Sequence, residues 1–159
     1  MHMLARLRKS SEENEGGFTL IELLVVMIII GILAAIAIPV FLSQRKKAQD
    51  SAAKADISTI GKEVATYYVD GTSAALAITN VGGRYVLNVP VNGTEAAIVA
   101  QDLGKASNNN TLAGMFYTDG TAWCVSLTNA QGDKAKAPGG FKYSAAGGLA
   151  TGVCTTSAG

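Results

Sequence analysis

The chain has 159 residues, with 13 Lys and Arg against 12 Asp and Glu, so its net charge is +1. Because 48% of the residues are hydrophobic, this composition excludes a disordered or collagen-like chain. The near-neutral charge is also unlike that of a strongly basic nucleic-acid-binding protein. The sole histidine is His2, and Gly104-Lys105 does not complete a phosphate-binding loop. We therefore expect a protein that is not an enzyme, without catalytic residues, metal or cofactor.

The N-terminal part of the sequence changes abruptly from polar to apolar. Residues 1–17 form a short polar segment that ends in Gly16-Gly17 and in which three basic and three acidic residues cancel. Residues 18–42 are apolar, with Glu22 as the one charged residue. A helix of this length would be about 37 Å long, enough to cross a hydrocarbon core of about 30 Å. Because the segment is apolar on every face, we predict a membrane-spanning helix rather than a buried one.

Residues 43–70 continue this helix with a single apolar face. The apolar residues recur at spacings of three and four, at Ala53, Ile57, Ile60, Val64 and Tyr67. Asp50 and Lys54 are spaced as an i,i+4 ion pair, and Asp70-Gly71 is a helix stop signal. The pattern predicts one helix over residues 18–69, about 78 Å long.

Residues 71–159 have the composition of a β-sheet domain, rich in Gly, Thr, Ser, Asn and Ala. Short β-like runs predict strands over residues 84–91, 95–101, 114–118, 121–128 and 140–144. Asp119-Gly120 predicts a hairpin turn, whereas Gly147-Gly148 and the tail 155–159 read as loop. We predict an α+β fold in which one antiparallel sheet packs on the apolar stripe of the helix. Trp123, all five tyrosines, Phe116 and Phe141 are expected to pack within the domain rather than to form a nucleic-acid-binding platform.

The junction between the polar and apolar segments reads Gly16-Gly17-Phe18-Thr19-Leu20-Ile21-Glu22. It resembles the processing site of type IV pilin precursors, in detail over residues 16–45. The resemblance implies that a membrane-embedded prepilin peptidase removes the leader 1–17 by cutting between Gly17 and Phe18. It also implies methylation of the new N-terminus, Phe18, a mature chain of residues 18–159 and the pilin fold.

Glu22 is an acid within an apolar helix, where an ionised side chain costs about 2.5–3.5 kcal/mol at mid-membrane. Cleavage before Phe18 creates a cationic amine one helical turn away. The amine of one subunit can then meet Glu22 of a neighbour in a dry interface, and such a pair fixes register more than it adds stability. The alternative is that Glu22 lies at the level of the lipid headgroups.

Gly31 and Pro39 lie inside the predicted apolar helix. In water each is unfavourable there, by about 1 kcal/mol for Gly and about 3 kcal/mol for Pro. Both residues are also more frequent in ordinary membrane helices than in soluble ones. The resemblance to pilins implies a further role, in which the segment between Gly31 and Pro39 unwinds when subunits pack.

Cys124 and Cys154 are separated by 30 positions and belong to no C-x-x-C motif. We expect a structural disulfide that ties the C-terminal tail to a hairpin strand and contributes about 2–4 kcal/mol. It would indicate an oxidising location outside the membrane. Two buried free thiols are the alternative.

Three further features of the sequence bear on nucleic-acid binding, glycosylation and calcium binding. A sparse basic cluster is formed by Lys134, Lys136 and Lys142. Binding of nucleic acid through it is an alternative to a solvated surface. Residues 92–94 and 109–111 fit the N-x-[ST] pattern, which does not show whether the asparagines are glycosylated. The acids at positions 102, 119 and 133 lack the close spacing of a calcium loop.

The sequence thus predicts a subunit of a type IV pilus, a self-assembling filament used in adhesion, motility or DNA uptake. By resemblance its partners are prepilin peptidase, a membrane platform protein and a cytoplasmic assembly ATPase. The precursor would lie in the inner membrane as a single-pass protein, and the assembled subunit in a pilus at the cell surface. A pseudopilin of a type II secretion or competence system is a close alternative.

Two alternatives belong to another class of protein. Residues 35–37 read Ala-Ile-Ala, so a secreted protein could begin at Ile38. The apolar stretch before this site is, however, longer than the roughly 7–15 residues usual for the apolar region of a signal peptide. An uncleaved bitopic membrane protein with a binding ectodomain would leave Gly17, Phe18 and Glu22 unexplained.

Overall fold

A computed structural model describes residues 17–72, 76–91 and 94–155 of the chain. The predicted leader, apart from Gly17, lies outside these residues. Within these residues one helix, α1, covers Leu20–Asp70, and seven strands follow it. The strands are β1 Ala77–Val81, β2 Arg84–Val91, β3 Thr94–Lys105, β4 Asn110–Asp119, β5 Ala122–Asn129, β6 Phe141–Ser144 and β7 Gly148–Thr151. The predicted α+β fold class, a long N-terminal helix followed by antiparallel strands, is confirmed.

Helix α1 runs for 51 residues and contains both Gly31 and Pro39 without a break. Its end at Asp70 confirms the predicted stop. Among the described residues it is the one helix that is long and apolar enough to cross a membrane. The chain divides into two compact units, one that ends at Phe41 and one that begins at Leu42.

In the unit before Leu42, the described residues 17–41 have almost no buried side chain. Its large apolar residues are exposed, from Leu20 at 81% to Val25 at 46%. The apolar run therefore has no partner surface among the described residues of its own unit.

The unit after Phe41 contains two antiparallel sheets. One has three strands in the order β1-β2-β3, and the other has four in the order β4-β5-β6-β7. The prediction of a single sheet was therefore wrong, and two strands, β1 and β7, were missed. Strand β7 begins at Gly148, which the sequence placed in a loop. The five predicted strands all exist, with bounds that differ by up to four residues.

Two tight turns set the register of the first hairpin in each sheet. Gly82 and Gly83 join β1 to β2 with φ values of 59° and 75°, which a type I′ turn requires at both central positions. The predicted hairpin at Asp119-Gly120 joins β4 to β5. There the Asp119 carboxylate accepts hydrogen bonds from the backbone N–H groups of Thr121 and Ala122, at 2.8 and 3.0 Å.

The core of the second unit lies between α1 and both sheets. The predicted stripe is confirmed, since Ala53, Ile57, Ile60 and Val64 are fully buried and Tyr67 packs at the edge of the core. The strands contribute Tyr85, Leu87, Leu103, Trp123, Val125, Leu127 and Phe141. A side chain at Gly61 would collide with the Tyr143 ring, so the helix backbone packs directly on β6 there.

Candidate assembly site and the clusters that anchor the helix

The first turn of α1 is closed by reciprocal hydrogen bonds between Thr19 and Glu22. The Glu22 carboxylate accepts from the Thr19 backbone N–H at 2.8 Å and from its hydroxyl at 2.6 Å. The Glu22 N–H donates to the Thr19 hydroxyl oxygen at 3.3 Å. This is a capping box, with Thr19 as the N-cap and Glu22 three residues into the helix. Sequence reasoning gave Glu22 a role between subunits and missed this role within the chain, although the T-x-x-E spacing signals it.

The predicted cleavage site immediately precedes this cap. Gly17 and Phe18 precede the helix and are exposed, so the peptide bond between them lies outside regular secondary structure. Thr19, the residue after Phe18, already contacts the Glu22 carboxylate. An amine created at Phe18 would therefore lie next to Thr19, which holds the Glu22 carboxylate at the start of the helix.

Gly31 and Pro39 lie on the exposed apolar helix. Nothing lies within 4 Å of the position that a Cβ atom would take at Gly31. Pro39 has no N–H, so the carbonyl of Ala35 receives no helical hydrogen bond from it. The helix is continuous at both residues, and their proposed role in unwinding stays a prediction.

A second acid of α1, Asp50, holds a loop of the β-domain. Its carboxylate accepts hydrogen bonds from the backbone N–H groups of Asp133 at 3.0 Å, Lys134 at 3.0 and 3.1 Å, and Ala135 at 2.9 Å. Asp50 is buried, at 8% exposure. Burial raises its pKa, but the three N–H donors and the charge of Lys54 outweigh this, so the net pKa of Asp50 lies below its usual value.

These contacts correct the predicted ion pair between Asp50 and Lys54. The Asp50 carboxylate is occupied by backbone amides, and the Lys54 ammonium lies 5.0 Å from the centre of the Phe141 ring. Asp50 precedes Ala53 by three residues and so lies on the buried stripe. A charge on that stripe was the available signal that the carboxylate has partners inside the domain.

Asp56 makes a similar cluster with the three-stranded sheet and the connection between β3 and β4. Its carboxylate accepts from the Tyr85 hydroxyl at 3.1 Å, from the Ser107 N–H and hydroxyl at 2.8 Å each, and from the Asn110 side-chain amide at 2.7 Å. Burial, the Asp56 charge and its hydrogen bond raise the pKa of Tyr85, which keeps the hydroxyl protonated as a donor.

Asn129 joins the neighbourhoods of these two acids. Its side-chain amide donates to Gln49 at 3.0 Å and to Asn110 at 2.6 Å, and Asn110 in turn bonds Asp56. Its side-chain oxygen accepts from the Gln131 N–H at 2.9 Å. Polar residues of α1 thereby fix the connections that precede and follow the β4–β5 hairpin.

Cys124 and Cys154 form the predicted disulfide, with their Cα atoms 5.9 Å apart. Cys124 lies on β5 between Trp123 and Val125, which face the core, so the disulfide lies on the opposite face of the sheet. It attaches the C-terminal segment to that face. On the core face Trp123 stacks with Tyr68 and Tyr143, as expected for packing aromatics.

The remaining candidates lie apart from one another. Asp102 bonds Arg84 at 2.7 Å, and within the described ranges no group of three or more His, Cys, Asp or Glu is placed to hold a metal. Asn109 is exposed in a turn, with φ of 65°. Residues 92–93 of the other N-x-[ST] pattern lie outside the described residues.

Comparison with known proteins finds a family motif in the N-terminal region. A family model described as the prokaryotic N-terminal methylation motif matches residues 14–38. The chain is 47% identical over 60 residues to the type IV wide pilus major component PilA4 of Thermus thermophilus, which covers 38% of this chain and 46% of that protein. No solved structure matches the chain significantly.

Two further relatives extend the comparison. The chain is 43% identical over 57 residues to the type II secretion system core protein G of Pseudomonas aeruginosa, covering 36% of this chain and 40% of that protein. It is 35% identical over 108 residues to a fimbrial protein of Neisseria meningitidis, covering 63% and 62%. The chain thus spans less than two thirds of the length of these relatives.

An apolar helix that begins at a methylation motif and leads into antiparallel sheets defines a pilin-like protein. More particularly, the homologues of this chain are type IV pilins and pseudopilins, which are structural proteins.

Proposed function

We propose that this chain is the precursor of a type IV pilus subunit and polymerises through its N-terminal helix. The observation that carries the proposal is the capped Glu22 at the start of a fully exposed apolar helix, directly after the Gly17-Phe18 junction. In this proposal a prepilin peptidase cuts between Gly17 and Phe18 and methylates Phe18.

The exposed apolar surface supports a role with two successive environments. The side chains of residues 18–42 are too apolar to remain in water, since burying each large one is favourable by about 1.5–3 kcal/mol. Lipid covers them in the precursor, as a single-pass protein of the inner membrane. The same segments of neighbouring subunits cover them in the filament at the cell surface.

The cap supports the proposed pairing of Glu22 with the amine of a neighbouring Phe18. Because Thr19 already orients the carboxylate, the acid is held at the helix start before any neighbour arrives. The segment between Gly31 and Pro39 then unwinds during packing, where the missing N–H of Pro39 already weakens the helix.

The proposed partners follow from what the chain itself lacks. Its sequence contains no nucleotide-binding motif and no catalytic constellation, so a structural role with external machinery is the consistent assignment. That machinery comprises a membrane platform protein and a cytoplasmic assembly ATPase.

A second candidate function is that of a pseudopilin of a type II secretion system. Similarity to core protein G of two bacteria favours it. The two functions differ in the product: long filaments sheared from the cell surface indicate a pilus, and filaments that stay within the envelope indicate a pseudopilus.

The first experiment is the N-terminal sequence and intact mass of the protein sheared from cells. A chain that starts at Phe18, with one added methyl group and the disulfide formed, is expected. A start at Met1 or Ile38 contradicts the proposal.

The second experiment separates the two roles of Glu22. Glu22→Gln keeps a capping acceptor but removes the charge, whereas Thr19→Ala removes the cap and keeps the charge. We expect Glu22→Gln to reduce filament yield about tenfold or more and Thr19→Ala to reduce it less, with membrane insertion unchanged in both. Asp70→Ala, an exposed acid at the other end of α1, is the matched control. Normal yield from Glu22→Gln would refute the pairing.

A further inference from the structure

The second unit carries a group of exposed cations that the proposed function does not use. It is formed by Arg45, Lys46, Lys47 and Lys54 of α1 with Lys134 and Lys136 of the β5–β6 loop, and we call these six residues the basic collar. They are six of the ten Lys and Arg residues that follow Gly17. All six are exposed. Among the described residues the one ion pair joins Arg84 and Asp102, so no collar cation is neutralised by a carboxylate contact.

Asp50 explains how this surface forms and why it keeps its charge. By accepting the N–H groups of residues 133–135, the Asp50 carboxylate holds the Lys134 and Lys136 backbone against the helix turn between Lys47 and Lys54. The same hydrogen bonds occupy the one acid of this turn. Lys54 is also held in place, over the Phe141 ring. The carboxylates that face the collar are thus the buried Asp50 and the exposed Asp133.

We infer that the basic collar binds the anionic lipid headgroups of the membrane in which the precursor is anchored. This inference rests on the proposed membrane-spanning role of residues 18–42. Leu42 ends the apolar run, and Arg45, Lys46 and Lys47 follow within five residues, or about 7 Å of helix rise. These three cations therefore lie within the headgroup layer, which adds about 5–7 Å to each side of the hydrocarbon core.

The loop lysines reach the same layer from slightly farther away. Asp50 lies eight residues beyond Leu42, a rise of about 12 Å, and the loop backbone lies at its level. That is about 5–7 Å outside the headgroups, within the length of an extended lysine side chain and within the Debye length of about 8 Å at physiological ionic strength. Polybasic segments at this distance from a membrane end are attracted by anionic lipid. A lipid surface is favoured over nucleic acid, since Arg45, Lys46 and Lys47 follow the apolar run directly in the sequence.

The test is lysine footprinting of the full chain in nanodiscs. One disc is pure phosphatidylcholine, and the other is an equimolar mixture of phosphatidylcholine and phosphatidylglycerol. In the anionic disc, acylation of Lys134 and Lys136 is expected to slow about fivefold, and to recover at about 0.5 M salt. Lys62 and Lys105, outside the collar, are matched controls that should react equally in both discs.

A variant isolates the contribution of Asp50. In Asp50→Ala, protection of Lys134 and Lys136 should fall while protection of Lys46 and Lys47, which lie on the helix, should remain. Unchanged fluorescence of the buried Trp123 verifies that the variant is folded, and Asp50→Asn replaces it if the fluorescence changes.

Three outcomes would overturn the inference. Equal reactivity of the collar lysines in both discs refutes lipid binding while leaving the pilus proposal intact. Protection by a DNA duplex in neutral discs, without protection by phosphatidylglycerol, assigns the collar to nucleic acid instead. A chain that inserts into neither disc refutes the membrane span itself, and with it the proposed function.

Discussion

Residues 20–41 and 42–70 belong to the same helix, yet their apolar side chains have opposite surroundings. Ile36 is 65% exposed, whereas Ile57 is fully buried. The first part is apolar on every face, and the second has one apolar stripe flanked by charges. The two parts thus lie on one continuous helix but differ in whether other elements of the chain bury their side chains. The second part is covered by sheets of the same chain, and the described side chains of the first part are exposed.

The largest effect is expected when one isoleucine in each part of the helix is replaced by alanine. Ile57→Ala should lower the free energy of unfolding of the second unit by about 3–4 kcal/mol, because it leaves a cavity in the core. Ile36→Ala should leave it unchanged within about 0.5 kcal/mol. Denaturation of the full chain in detergent, followed by fluorescence of the buried Trp123, measures both. Equal losses would show that the apolar part is packed on the β-domain after all.

A slightly smaller effect is expected from the disulfide, which belongs to the second unit alone. Closing a loop of 30 residues between Cys124 and Cys154 contributes about 3 kcal/mol by constraining the unfolded chain. Reduction, or the double variant Cys124→Ser with Cys154→Ser, should lower the free energy of unfolding by that amount and so lower the unfolding midpoint. Circular dichroism of the apolar helix in detergent should not change. A reduced protein with an unaltered midpoint would contradict this prediction.

The smallest loss of stability is expected from replacing Asp50, the acid on the buried stripe of the second part. Asp50→Ala leaves three backbone N–H groups without their acceptor and should cost about 2 kcal/mol. Because the pKa of Asp50 is depressed in the folded protein, its contribution is complete above the unfolded pKa of about 3.9. It is lost as the pH falls through the lower folded pKa.

Unfolding midpoints measured from pH 7 down to acid pH test the Asp50 prediction. The wild-type protein should lose stability over the acid limb more steeply than Asp50→Ala. Asp133→Ala, which keeps its own backbone N–H, is the matched control and should follow the wild-type curve. Parallel curves for all three proteins would refute the role assigned to the carboxylate.

Local sequence patterns were sufficient where the chain interacts with its near neighbours. The helix stop at Asp70, the buried stripe from Ala53 to Val64 and the Asp119-Gly120 turn follow from spacings within a few residues. Strands β1 and β7 were missed because both are short edge strands with mostly exposed side chains, which removes the hydrophobic alternation that marks a strand. The division into two sheets was missed for a related reason, since strand pairing joins residues far apart in the sequence.

The candidate site shows the same division. Gly17, Phe18 and Glu22 were predicted from the sequence because the junction lies within six residues, whereas the capping role of Thr19 was missed although its spacing is equally local. The partners of Asp50 and Asp56 could not be predicted, because they lie 29 to 85 positions away along the chain.

The sequence by itself determined that this protein has a long helix, apolar in its first part and amphipathic in its second, with a methylation motif at its start. These properties are local, because hydrogen bonding within a helix and the period of its apolar residues depend on neighbours three and four positions apart. Only the tertiary structure decided that two sheets cover the second part of the helix, and that Asp50 binds the loop of residues 133–135 and so brings the loop lysines to the helix. Those arrangements depend on contacts between distant segments, which a linear pattern does not encode.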